Sequence, residues 1–106
     1  MADDLSTASL RLSAVGAFIG VIRPSFRRVA VKADGRSIIL SVTLDREPDD
    51  EVIEAIQVAS TEVVADFAEA EIREDVSVLE GALPRADIVK DGLIYERWEQ
   101  PAEGLS

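Results

Sequence analysis

The chain has 106 residues, a formal net charge of −10, and neither cysteine nor histidine. A chain of this length forms one domain and buries enough surface to fold without disulfides or a structural metal. Thiol chemistry, iron–sulfur clusters, the usual zinc sites and imidazole acid–base catalysis lack their functional groups here. We therefore expect a single domain over residues 1–100 that is not an enzyme and uses no cofactor, followed by a frayed tail at 101–106.

The first predicted element is an amphipathic helix over residues 5–22. Its apolar side chains recur at spacings of three and four, which places them in one stripe: Leu5, Ala8, Leu12, Val15, Ile19 and Ile22. A polar side chain within residues 3–6 can cap its start. Gly16 and Gly20 lie four residues apart, a spacing that favours close packing of this helix on a sheet.

Two strands are predicted next, joined by a tight turn. Val29, Val31 and Ala33 alternate with their neighbours in the first strand. The second strand has the same alternation, with its apolar positions at Ile38, Leu40, Val42 and Leu44. The dipeptide at 34–35 is Asp-Gly, which favours a hairpin turn because glycine readily takes a positive φ.

A second helix is predicted from about Pro48, a residue that suits the first helical position. The acids that follow it suit the positive end of a helix dipole. Its predicted buried stripe is Val52, Ile56, Ala59, Val63 and Phe67. Further strands are predicted at about 72–80 and 93–98. In the last strand, Tyr95 and Trp98 point to opposite faces, so that either an exposed aromatic binding contact or a core role is open.

The predicted order of elements is therefore α-β-β-α-β-β. This order favours an α+β fold in which a four-stranded antiparallel or mixed sheet has two helices packed on one face. The order of the strands within the sheet stays open.

Acidic residues are concentrated in one part of the chain. Residues 45–80 hold 13 acids and 2 bases, a net charge of −11, whereas residues 1–44 hold 3 acids and 6 bases, a net charge of +3. An acidic field repels phosphate backbones and anionic lipids, so we expect no nucleic acid and no membrane as partner, and a basic protein suits it better. Solubility alone is the alternative explanation. The acidic N-terminus lacks the features of an export signal, which favours the cytoplasm.

Two clusters of charged residues are candidate ion-binding sites. The acidic run at 45–51 fails as a calcium loop, because Asp50 stands where the turn needs glycine and Ile56 where the bidentate glutamate belongs, so we expect no metal site. The basic cluster either contacts an anion or, as we favour, forms the solvent face of an outer strand. Its members are Arg23, Arg27, Arg28, Lys32 and Arg36.

Several segments resemble a family of small acidic bacterial immunity proteins. They are residues 20–31, Ile38 with Leu40, residues 47–51, and the most specific segment, Thr-Glu-Val-Val-Ala-Asp-Phe at 61–67. Proteins of this family belong to contact-dependent growth inhibition and related polymorphic toxin systems. The resemblance implies a cytoplasmic protein that binds and blocks a toxin domain, often a basic nuclease.

The partner-binding residues predicted from the charge pattern and the resemblance are Asp49, Asp50, Glu51, Glu54, Glu62 and Asp66. The first four are predicted to contact the basic toxin domain directly, and the last two occupy positions that match the family. An alternative hypothesis is a self-associating or scaffold-binding adaptor. Exposed edge strands and the two glycines of the first helix motivate this alternative, which includes a possible homodimer.

Overall fold

The computed structural model describes residues 6–83, 92–97 and 99. Its elements in chain order are α1 (Thr7–Phe18), β1 (Phe26–Asp34), β2 (Ser37–Leu44), α2 (Asp50–Ala65), β3 (Glu71–Val78) and β4 (Leu93–Glu96). The predicted α-β-β-α-β-β order is confirmed. The predicted tail at 101–106 and the aromatic side chain of Trp98 lie outside the described residues.

The four strands form one mixed sheet in the order β3-β2-β1-β4. Strand β1 pairs antiparallel with both β2 and β4, whereas β2 pairs parallel with β3. Parallel neighbours need a crossover connection, and α2 provides it between β2 and β3. The α+β fold class is confirmed, and of the two predicted sheet types the mixed one is observed.

The β1–β2 hairpin closes at the predicted place with a turn of two residues. Asp34 pairs with Ser37, which leaves Gly35 and Arg36 in the turn. Gly35 has a φ of 65°, as the first central position of a type II′ turn requires. Asp34 therefore ends β1 instead of occupying the centre of the turn.

The hydrophobic core lies between the two helices and one face of the sheet. The cross-strand pairs Val29–Val42 and Val31–Leu40 are buried on that face. All five residues of the stripe predicted for α2 are buried too, and they join the same core. The prediction for α2 is therefore confirmed. Its N-cap is Asp49, so Pro48 precedes the helix instead of opening it.

Strand β1 contains a bulge that sets the direction of its first side chains. Phe26 pairs with Leu44 and Arg28 pairs with Thr43, so Arg27 is an extra residue on β1. The insertion allows Phe26 and Val29 both to reach the core, although regular alternation would send them to opposite faces.

Helix α1 differs from its prediction in length and in orientation. It ends at Phe18 instead of residue 22, and Ser6 is its N-cap. Three members of the predicted stripe point outward: Leu12 is 78%, Val15 46% and Ile19 76% exposed. Ile22, which lies beyond the helix, packs against the core as predicted. The buried side chains are instead Leu10, Ala14, Ala17 and Phe18. The prediction selected the wrong stripe because α1 is apolar on two faces, and spacing alone does not rank them.

The two glycines of the first helix do not mediate close packing. A Cβ atom added at Gly16 or Gly20 would meet no other atom within 4 Å. Gly20 lies beyond the helix with a φ of 79°, where an L-residue would be strained. The predicted packing of both glycines on the sheet is therefore wrong, and the role of Gly20 is to turn the chain away from α1.

Candidate partner-binding surface

Helix α2 carries the largest net negative charge of the described elements. It contains four acids and no base, and its two caps, Asp49 and Asp66, are also acidic. A helix of 16 residues is about 24 Å long. The six predicted partner-binding residues are therefore divided between the two ends of α2 and do not form one cluster.

At the N-terminal end of α2, two of the predicted residues have structural roles. A side-chain oxygen of Asp49 accepts a hydrogen bond from the Val52 amide at 2.9 Å, which satisfies a free donor of the first turn. Glu51 forms an ion pair with Arg23 at 3.5 Å. Asp50 and Glu54 are exposed, and neither has an ion pair with a cation that the structure describes.

At the C-terminal end, Glu62 and Asp66 lie along an open groove between α1 and α2. The groove has a volume of about 600 Å³. Asp66 accepts a hydrogen bond from the Ser13 hydroxyl of α1 at 2.6 Å and so links the two helices. The residues that line the groove are Ser9, Leu12, Ser13, Gly16, Ala17, Glu62, Ala65, Asp66 and Phe67.

The outward stripe of α1 adjoins this groove. Leu12 belongs both to the stripe and to the groove wall, and Val15 and Ile19 continue the apolar surface along the helix. These residues were predicted as part of the apolar stripe of an amphipathic helix, not as a binding site. The available signal was a second apolar stripe in the same helix, through Leu10 and Ala14.

Arg27 is the buried member of the basic cluster. Its side chain is 6% exposed, and it donates two hydrogen bonds to the carboxylate of Glu99, at 2.8 and 2.7 Å. It also donates to the carbonyl oxygens of Leu79 and Gly81. Strand β1 is an inner strand of the sheet. The predicted outer strand and the predicted solvent-facing position of Arg27 are therefore wrong, because Glu99 and backbone carbonyls hold the Arg27 side chain inside the fold. Lys32 and Arg36 are exposed as predicted.

Arg97 extends this ion-pair network to the segment after β2. It contacts Asp45 at 2.9 Å and Glu99 at 3.1 Å. Hydrogen bonds from Arg46 and Arg97 lower the pKa of Asp45 to about 2, and those from Arg27 and Arg97 lower the pKa of Glu99 to about 2. Because each carboxylate is held by two arginines, the network joins chain segments and offers no free acid or base.

The network predicts a specific loss of stability in acid. The folded-state pKa values of Asp45 and Glu99 are below their ordinary values, so their contribution is complete above about pH 4.5 and is lost as the pH falls towards 2. We expect the urea midpoint to drop across this interval. The Glu99→Gln variant should be less stable at pH 6 and should lose less on acidification. An equal decline in both proteins would contradict the assignment.

Two other kinds of site were considered from the sequence, a metal site and an aromatic binding contact. The described residues contain no cluster of three or more carboxylates placed to hold a metal ion. Tyr95 packs against the core, whereas Trp98, the other aromatic considered from the sequence, is not among the described residues. Within the described part of the chain, no helix has the length and apolarity needed to cross a bilayer.

Comparison with known families gives one match. Residues 7–99 match the sequence model of a family described as MafI2 immunity protein. No curated protein matches the chain at a significant level. The family match spans all six helices and strands of the fold, and it includes both ends of α2 and the groove.

Proposed function

We propose that this chain, which belongs to the MafI2 immunity protein family, neutralises a cognate toxin domain by binding it. The observation that carries the proposal is the family match over residues 7–99. The resemblance to immunity proteins predicted from the sequence is confirmed by this match. Contact-dependent growth inhibition as the delivery system stays a prediction.

The charge of the chain supports a basic, nuclease-type toxin domain as the partner. Residues 45–80 carry a net charge of −11, and α2 has no base to offset its four acids. A surface of this sign attracts a basic protein over several ångströms and accelerates encounter. A protein bound over the nucleic-acid site of such a toxin blocks it without any catalytic group of its own. We place this inhibition in the cytoplasm, where a delivered nuclease meets its substrate.

Co-expression tests the proposal directly. The cognate toxin domain, sought first in the open reading frames that adjoin the gene for this chain, is expressed in bacteria with and without the chain, and growth is followed. We expect arrest with the toxin domain alone and normal growth with both, together with a stable complex in gel filtration. Equal arrest in both cultures, with the chain present in soluble form, would contradict the proposal.

The acidic N-terminal end of α2 should affect the rate of association. We expect the double variant Asp50→Asn/Glu54→Gln to bind the toxin domain about threefold more slowly at low salt, because electrostatic steering weakens. Stopped-flow or surface-based kinetics at 50 and 500 mM salt measure this change, which should shrink at high salt. The matched control is Glu71→Gln/Asp75→Asn on β3. An equal effect of the two double variants would assign steering to net charge and not to α2.

A further inference from the structure

Helix α1 exposes an apolar surface that the fold itself does not use. Leu12 and Ile19 are more than three-quarters exposed, and Val15 is nearly half exposed. They follow one another at spacings of three and four, and Ile19 is the C-cap of α1, so the three side chains lie along one face of the helix. The only charged residue of α1 is Arg11. A contiguous exposed apolar face of this kind marks an interaction surface.

The same surface has an acidic border on one side. Leu12 lines the groove between the helices together with Glu62 and Asp66. Glu62 is exposed and has no ion pair with a described cation, and Asp66 accepts a hydrogen bond from Ser13. An apolar centre with a charged rim is the composition found in specific protein interfaces.

We infer that the outer face of α1 and the adjoining α1–α2 groove form the docking surface for the toxin domain. The toxin segment that fits it presents apolar side chains to Leu12, Val15 and Ile19 and a lysine or arginine to Glu62 and Asp66. This inference rests on the proposed function above. It separates two roles: the N-terminal acids of α2 steer the toxin, and the groove at the other end of the helix holds it.

Charge distinguishes this occupant from a second copy of the chain. In a symmetric dimer the same patch meets itself, so the groove acids of one copy would face those of the other. Helices α1 and α2 together contain one basic residue, Arg11, and four acidic residues, all on α2. Two chains with a net charge of −10 also repel each other. A basic toxin segment satisfies both the apolar and the acidic part of the surface.

The test is the affinity of variants for the purified cognate toxin domain identified by co-expression, carrying a substitution that inactivates it. We expect Leu12→Asp to weaken binding at least 100-fold, because it places a charge where the apolar face meets the groove. The matched control is Ile53→Asp, which introduces the same charge at a position that is 42% exposed and outside the groove. We expect it to change the affinity less than threefold.

A second pair of variants tests the acidic border with the net charge held equal. We expect Glu62→Lys to weaken binding about 30-fold and Glu54→Lys about threefold, since only Glu62 lies in the groove. Circular dichroism and thermal unfolding verify that each variant is folded. Because both pairs alter exposed side chains, either pair tests the inference if a variant of the other fails to fold.

The outcomes separate the inference from the proposed function. If the wild-type chain binds the toxin domain and both Leu12→Asp and Glu62→Lys bind equally well, the inferred surface is wrong and the proposed function stands. If the wild-type chain does not bind, the proposed function fails and the inference fails with it. Sedimentation velocity provides a further outcome: a wild-type dimer that Leu12→Asp dissociates, with unchanged toxin binding, would assign the surface to a second copy and overturn the inference.

Discussion

The Phe26→Ala variant is expected to lose about 4 kcal/mol of unfolding free energy. Phe26 is fully buried and is among the largest side chains of the core. Its ring meets that of Phe18 edge to face, with centroids 6.3 Å apart, so the substitution removes both a large apolar volume and an aromatic contact. A domain of this size has about 5–15 kcal/mol of stability in total. Urea unfolding at neutral pH measures the loss.

Two controls define the origin of this loss. Phe26→Leu keeps most of the volume and should cost about 1 kcal/mol, whereas Leu12→Ala removes an exposed side chain and should change stability by no more than about 0.5 kcal/mol. A loss for Phe26→Ala as small as that for Leu12→Ala would contradict the bulge, because regular alternation of β1 would then turn Phe26 away from the helices. The comparison therefore tests the register as well as the packing.

The strands of the hairpin and helix α2 were predictable because each has one apolar face. In β2 the residues Ile38, Leu40, Val42 and Leu44 recur at every second position and are all buried, and Ile39 is the one buried apolar residue on the other face. In α2 the apolar stripe has acids and other polar side chains on the opposite face. A single apolar face leaves one orientation that buries it, so local periodicity was sufficient for these elements.

Helix α1 was not predictable in the same way. Its stripe through Leu12, Val15 and Ile19 has the more regular spacing of three and four residues in the sequence. The side chains that reach the core are nevertheless Leu10 and Phe18, which lie on another face. The choice between two apolar faces depends on side chains from the distant segments that pack against them. Sequence periodicity contains no information about that non-local contact, and this is also why the docking surface was not recognised from the sequence.

The candidate site was predictable in its residue types but not in its arrangement. The charge pattern identified the acids at the start of α2, and the resemblance added Glu62 and Asp66. The first group comprises Asp49, Asp50, Glu51 and Glu54. The separation of these two groups follows from the length of the helix, whereas the groove beside Asp66 exists only because α1 packs against α2. Arg27 was assigned to a solvent face because of its charge, since its partner Glu99 lies 72 residues away in the sequence and no local pattern indicates that pairing.

Arg27→Ala is the second substitution with a large expected effect, a loss of about 3 kcal/mol of unfolding free energy. The guanidinium group of Arg27 holds both carboxylate oxygens of Glu99 and two backbone carbonyls. Removing it leaves these acceptors without their donor, and the partly buried Glu99 keeps only its contact with Arg97. Loss of one member of a buried ion pair costs more than loss of an exposed pair, because the remaining charge stays desolvated.

The matched control for this prediction is Arg36→Ala. Arg36 pairs with Glu69 at 3.7 Å, and both side chains are more than 70% exposed, so we expect a change of about 0–0.5 kcal/mol. Equal losses for the two variants, measured by urea unfolding, would show that the Arg27 network contributes no more than a surface pair. Since Arg27 does not line the groove, Arg27→Ala should still bind the toxin domain with unchanged affinity at 10 °C, where enough of the variant remains folded. Loss of binding by a folded Arg27→Ala variant would instead place the network within the toxin interface.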